Sequence, residues 1–399
     1  MSVISLPSAE AVRRKADQAI ERMEKKHLIN WRDSIGKVVF ISMQYPGLWL
    51  EHTYDSVAWG NFRPSDVAVS KAQVKLFLDQ QTEEGQLPCF IWKDITCHGW
   101  LQECVSFTRL ALEACKQNKD LEFLKECYKK CKKWDDWLVK NRMGRGLGLV
   151  EMHCGYDTGH DNSGRLLGMK YPTYYKAMVG GPANEAPADD DVLPAVGPDI
   201  NAVFYNSRMA LADMAEELGL SDEADVWLKK AKDVHTALFE ICYNKEDQFF
   251  YDVDKHGKQR KCKSIMITNM FSENVLSFDL GNEIFERYFL DPDEFGTPYP
   301  YPGVAVSDPT FHMNLPGNSW GYYSQGLTML RSLRWMEKYG RKKELEENML
   351  KWISAWCASD SIQFGQELDP FTGKPSQSSE YYSSTMIFFL ESAKRLGYI

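Results

Sequence analysis

A chain of 399 residues is long enough for two or three average domains or for one large barrel. With 44% hydrophobic, 13% aromatic and 26% charged residues, it is neither disordered, collagen-like nor low-complexity, and it can bury a large core. Forty-seven basic residues against 56 acidic ones give a net charge of −9, which offers nucleic acid or an anionic membrane no electrostatic footprint and points to a small neutral partner.

The N-terminal stretch MSVISLPSAEAVRRKADQAIERMEKK turns amphipathic and charged almost at once, unlike a signal peptide, and no run of about 20 apolar residues occurs. Ten cysteines (Cys89, Cys97, Cys104, Cys115, Cys127, Cys131, Cys154, Cys242, Cys262 and Cys357) lack framework spacing, so reduced thiols in a cytoplasmic protein are expected. Helical periodicity predicts helices at about 8–28, 68–83, 99–117 and 120–140. A long connection, 141–200, follows. In 201–218 the apolar residues Phe204, Leu211, Met214, Ala215 and Leu218 recur three, four or seven apart, Gly219 closes the run, and Ser221 and Asp222 offer N-cap chemistry for a helix over 223–242. The segment 248–253, QFFYDV, reads as a β excursion between helices rather than part of a sheet. Helices are then expected at 269–277 and 281–290 and, after a second long connection at 291–319, at 320–339, 342–358 and 379–397.

These eleven candidates are joined alternately by tight turns and by long aromatic loops. They suggest an all-α (α/α)6 toroid, a two-layer helical barrel whose twelve helices would take about 33 residues each, connections included. Residues 1–399 would then form a single catalytic domain, with 141–200 and 291–319 as active-site loops on one face. No repeat of fixed period is visible, which disfavours a solenoid.

The chemistry concentrates in 151–165, EMHCGYDTGHDNSGR, a segment too polar and glycine-rich to build a core. Its Asp157-Thr158-Gly159 matches the DTG of aspartic proteases, but no second DTG or DSG supplies the partner carboxylate, so that chemistry is rejected. Neither Cys127 with Cys131 nor His98, His153 and His160 shows zinc-ligand spacing, the acidic run 189–191 reads as a solvated lid rather than a calcium site, and the glycines of 144–148 follow a helix rather than a strand. No metal or cofactor is expected.

The run Thr158-Gly159-His160-Asp161-Asn162-Ser163-Gly164-Arg165 resembles the S-G-x-D-[NF]-S-x-R segment of inverting glycosidases. The group comprises trehalase, processing α-glucosidase I and the glucosylglycerate and mannosylglycerate hydrolases, in glycoside hydrolase families 37 and 63. Other segments resemble the group in its own order: WLEHTYDSVAW at 49–59, then Gln80-Gln81, Gly85 and Leu87-Pro88, Pro198-Asp199-Ile200-Asn201-Ala202, the aromatic Gly/Pro loop 291–309, and Asp369-Pro370-Phe371-Thr372-Gly373. The resemblance spans roughly 45–390. It implies the toroid, exo-acting hydrolysis of a short α-glucoside or related small glycoside with inversion, no cofactor, and Asp161 as general acid. Inverting hydrolysis needs a protonated carboxyl at the glycosidic oxygen and a second carboxylate holding water on the opposite face.

The chain departs from the group where that second carboxylate belongs. The pattern E-x-x-[ND]-P-x-T-G is met by Gln366, which cannot deprotonate water, so the base is expected at Glu367, with Glu380 as the alternative. Asp55 corresponds to the aspartate of the group's W-D segment, with Tyr54 in place of its Trp. Tyr54, Asp55, Trp59, Trp92, Trp320, Tyr322 and Tyr323 fit the inventory of a sugar pocket, and Gln102, Arg165 and Gln325 could donate to hydroxyls. Three other readings stand beside this one: an unsaturated glucuronyl hydrolase, a sugar epimerase using His153 or His160 with His312, and a sugar-binding protein without catalysis, which Gln366 favours. The partner is a small carbohydrate in each case. The oligomeric state is not legible.

Overall fold

The computed structural model describes residues 6–32, 34–102, 105–169, 182–312 and 319–399. Cys104 and parts of the two long connections lie outside them. Among these residues are twelve α-helices: α1 (Ala9–Arg22), α2 (Thr53–Phe62), α3 (Ala68–Asp79), α4 (Phe107–Asn118), α5 (Leu121–Arg142), α6 (Pro198–Glu217), α7 (Ser221–Cys242), α8 (Ile267–Ser272), α9 (Phe278–Ile284), α10 (Gly326–Ser332), α11 (Lys342–Ala358) and α12 (Ser383–Arg395). The even-numbered helices pack in succession, α2 on α4, α4 on α6, α6 on α8, α8 on α10 and α10 on α12, and α12 returns to α2. The odd-numbered helices lie outside this closed ring: α3 packs on α2 and α4, α5 on α4 and α6, α7 on α6, and α1 on α11 and α12. The result is the expected (α/α)6 toroid.

The two rings differ in sequence because they differ in burial. On outer α7 the buried residues Ala224, Trp227, Ala231, Val234, Leu238 and Cys242 form a single stripe three and four apart. Inner α2 is buried from Thr53 through Gly60 and carries no such stripe. This explains why α2 escapes the periodicity that locates the other eleven.

Several expected boundaries move for local reasons. The helix expected from 99 starts at Phe107, and the described residues 99–102 and 105–106 before it are loop. The one expected over 320–339 begins at Gly326, where a Cβ would meet the Thr385 side chain at 2.0 Å, and ends at Ser332 before a 3-10 turn at Glu337–Tyr339. The helix expected over 269–277 spans Ile267–Ser272, and that over 281–290 is α9 continued by one π-turn. Gly219, at φ +74°, closes α6 as expected, but Ser221 stands in the first turn of α7 and no side chain caps that end.

The reading of 248–253 as outside any sheet is corrected. Asp252–Val253 belongs to a four-stranded antiparallel sheet with Gln259–Arg260, Ala195–Val196 and Glu151–Met152. A second ladder pairs Ser324–Gln325 with Glu367–Leu368. These short strands tie together segments that precede inner helices α6, α10 and α12, and so fix the face of the barrel on which those helices begin.

Candidate active site

On that face lies a pocket with about 510 Å³ of empty space, counted out to its open mouth. Tyr45, Trp49, Glu51 and His52 reach it from the segment before α2, and Leu101 from that before α4. Tyr156, Gly159 and Asp161 come from the segment before α6, Trp320 from that before α10, and Gln366 and Tyr382 from that before α12. The walls therefore belong to five different segments, each anchored where an inner helix starts.

Asp161 is half-buried, open to the pocket and enclosed by protein elsewhere. That desolvation, with the Glu51 carboxyl as a second charge nearby, raises its pKa to about 7. The group thus holds a proton near neutrality, as a general acid requires. Glu51, beside it, is buried and accepts a hydrogen bond at Oε1 from Arg331 Nη2 at 2.8 Å. Its pKa is raised by burial, against the pull of Arg331. Tyr45 feels both Asp161 and Glu367, and burial with these two charges pushes its phenol to about 12.

The acid loop is held from behind by buried charge. Arg165 Nη2 donates to Asp199 Oδ1 at 2.9 Å and Nε to Asp252 Oδ2 at 2.8 Å, the first at the start of α6 and the second in the four-stranded sheet. Arg165 Nη1 lies 3.1 Å from His160 Nδ1, and the His160 ring stacks on Trp320 with centroids 4.4 Å apart. Burial and Arg165 lower the His160 pKa to about 3, so this ring is neutral. Asp157 accepts from the amides of Gln102 at 2.8 Å and His153 at 2.6 Å and from Arg142 Nη1 at 2.9 Å, which makes the DTG-like segment a structural clamp.

Glu367, the residue expected as the base, is not among the residues that line this pocket. Its side chain is 1% exposed. Oε1 accepts from the Ser319 amide at 2.9 Å and Gln325 Nε2 at 2.7 Å, and Oε2 from Ser376 Oγ at 2.7 Å. Burial raises its pKa against those donors. The neighbouring Gln366 lines the pocket instead, and its Oε1 has no hydrogen-bond partner among the described residues. Glu380 lies outside the pocket lining, where its Oε1 accepts from the Gln363 amide at 3.4 Å.

Of the expected sugar-binding residues, the pocket gathers Trp320. The others lie elsewhere for identifiable reasons. Asp55 is wholly buried within the inner ring, where the hydroxyls of Ser383 and Ser384 on α12 bind its carboxyl. Tyr54 donates to the Leu330 carbonyl at 3.3 Å, and Trp59 donates to Asp66 at 3.1 Å from the core. Trp92 packs against Trp31 and Phe40. Gln102 binds the Gly99 carbonyl at 2.9 Å, Gln325 holds Glu367, and Arg165 is consumed by its two aspartates. Tyr322 donates to Asp369 at 2.9 Å with Tyr323 edge-on at 5.0 Å, both outside the pocket lining. The residues that sequence reasoning missed, Tyr45, Glu51, His52, Tyr156 and Tyr382, stand before inner helices. The onset of a helix at Thr53 would have pointed to Glu51 and His52, but α2 itself was unreadable.

The family model for the mannosylglycerate hydrolase MGH1-like glycoside hydrolase domain matches residues 47–385. The chain belongs to this family. It is a glycoside hydrolase. The fold agrees with the GH63 mannosylglycerate hydrolase of Thermus thermophilus solved with glucose, at TM-score 0.73 and 15% identity over 94% of this chain and 98% of that one. It agrees also with the neutral trehalase of Saccharomyces cerevisiae, at TM-score 0.68 and 12% identity over 91% and 75%. An uncharacterized protein of Borreliella burgdorferi is 26% identical over 133 residues, 33% of this chain and about a quarter (27%) of that protein's length.

For this glycoside hydrolase the histidine pair of an epimerase is not assembled: His160 is held under Trp320, while His153 and the exposed His312 do not line the pocket. Among the described residues no three His, Cys, Asp or Glu side chains are placed to hold a metal ion, and no helix is long and apolar enough to cross a membrane.

Proposed function

We propose that residues 1–399 act as one catalytic domain that hydrolyses a short α-glucoside or related small glycoside from its non-reducing end, with inversion, and that Asp161 is the general acid. The observation that carries this reading is Asp161 itself, a carboxyl with its pKa raised to about 7 on the wall of an aromatic pocket. Trp49, Tyr45, Tyr156, Tyr382 and Trp320 supply rings for the C–H faces of a pyranose, and the Trp320 Nε1, His52 Nδ1 and Gln366 Oε1 atoms, buried without partners among the described residues, suit its hydroxyls. Five converging segments favour a pocket that takes the end of a glycoside rather than a cleft that takes a chain.

Hexosylglycerates and trehalose, named for the structural relatives, head the substrates to test. We place the enzyme in the cytoplasm, a reading supported by nine free thiols on the described cysteines. The decisive measurement is a screen of α-glucosyl and α-mannosyl conjugates, with proton NMR of the first anomer released, on wild type and Asp161→Asn. Expected are the inverted anomer and a fall in kcat of at least 100-fold in the variant. Full activity in Asp161→Asn, or a retained anomer, overturns the reading.

A further inference from the structure

Hydrolysis with inversion needs a group that takes a proton from water, and neither carboxyl nominated by the sequence reaches the pocket. Glu367 is walled off by Ser319, Gln325 and Ser376, and Glu380 lies outside the lining. Gln366 stands where the resembled glycosidases carry their base. The described residues lining the pocket include two carboxyls, Asp161 and Glu51.

Glu51 occupies a 3-10 turn, Leu50–His52, that leads directly into α2. The Arg331 guanidinium, from α10 across the ring, donates to its Oε1 at 2.8 Å. Its carboxyl lies against the acid loop: a Cβ at Gly159, two residues from Asp161, would come within 3.0 Å of Oε2 and 3.2 Å of Oε1. The two carboxyls therefore share one space in unlike surroundings: Glu51 is beside a guanidinium, and Asp161 has no such cation bonded to it among the described residues.

We propose that Glu51 is the residue that activates the attacking water, replacing the base that Gln366 cannot be. The proposal rests on the hydrolytic reading above. In the step, the water oxygen bonds to the anomeric carbon as its proton passes to the Glu51 carboxylate. The carbon–oxygen bond to the aglycone breaks, and the Asp161 carboxyl protonates the departing oxygen. The products are the free sugar of inverted configuration and the alcohol. Glu51 then releases a proton and Asp161 regains one through solvent, so the protons balance over a turnover.

The test uses the glycosyl fluoride of the sugar that the wild type releases, because fluoride departs with little help from an acid while the water still needs a base. Asp161→Asn is expected to keep fluoride turnover within about tenfold, whereas Glu51→Gln loses at least 100-fold in kcat with KM little changed. Azide, a nucleophile that needs no deprotonation, is expected to restore Glu51→Ala and to yield the inverted glycosyl azide. If Glu51→Ala does not fold, Glu51→Gln carries the test. Fluoride turnover by Glu51→Gln within tenfold of wild type overturns the proposal. So does a rise in KM with kcat kept, the mark of a sugar-binding contact, or azide rescue of Glu367→Ala instead. A wild type inert toward every glycoside and fluoride tested overturns the hydrolytic reading, and Glu51's role with it.

Discussion

Asp161 and Glu367 are bound to consecutive amides: the Ser319 N–H donates to Glu367 Oε1 at 2.9 Å, and the Trp320 N–H donates to the Asp161 carbonyl at 3.0 Å. These two successive amides lock the acid loop to the strand that carries Glu367, and the second belongs to the residue whose indole stacks on His160. Glu367 supports the wall in this arrangement. Glu367→Ala would leave the Ser319 amide, the Gln325 amide and the Ser376 hydroxyl without their acceptor. Urea unfolding is expected to register a loss on the order of 3 kcal/mol; a loss below about 1 kcal/mol would show the three donors to be readily satisfied elsewhere.

The raised pKa of Asp161 fixes the alkaline side of the activity profile. Since the acid must be protonated, kcat/KM is expected to fall as pH rises through about 7. An alkaline limb two units away would exclude Asp161 as the group seen.

The same shift has a stability consequence that does not depend on turnover. Asp55 and Asp161 each have a folded pKa of about 7 against an ordinary 3.8, burial being the main cause at both. A folded state that binds protons more tightly than the unfolded chain gains most below about pH 4 and loses that gain as pH climbs through 7. The melting temperature should therefore decline from pH 5 to pH 8, and Asp55→Asn or Asp161→Asn should flatten the decline. An equally steep decline in both variants would contradict the assignment.

Gly159 has two reasons to lack a side chain. Its φ is +72°, and a Cβ would press on both oxygens of Glu51. Gly159→Ala is expected to cost about 1–2 kcal/mol in backbone strain, and to lower kcat/KM far beyond what that loss explains, because the displaced carboxyl is in the pocket. Wild-type kinetics in a folded Gly159→Ala protein would refute this.

Arg165 binds Asp199 and Asp252 with no exposure of its own side chain. Arg165→Met would strand two buried carboxylates, at a cost of about 3–5 kcal/mol. Arg165→Lys should recover little, since an ammonium cannot span both carboxylates as the guanidinium fork does. Melting curves of the two variants test this, and a stable lysine variant would argue that charge alone suffices.

Outer helices that bury one face, such as α7 with its single stripe, are legible in the sequence. The inner ring is less so. α2, buried along Thr53–Gly60, has no polar face to alternate with, so no periodicity marks Glu51 and His52 as standing at a helix start. Asp161 was readable because a dense local motif surrounds it. Glu51 was not, because its meaning depends on Arg331, 280 residues away, and on a glycine in another loop. The aromatics show the same limit: composition supplies Trp59 and Trp320 alike, and only the closing of the ring sends one to the core and the other to the pocket.

The two-residue ladders on the mouth of the barrel join Glu151–Met152 to Ala195–Val196 and on to Asp252–Val253, and Ser324–Gln325 to Glu367–Leu368. Helical hairpins such as α6 and α7 close over a few residues, whereas these ladders must bring together stretches 40 or more positions apart, at a larger entropic cost and for few hydrogen bonds. The mouth should therefore be the last part of the molecule to assemble and the first to come undone. In a denaturant titration, turnover would vanish while helical circular dichroism is still largely intact.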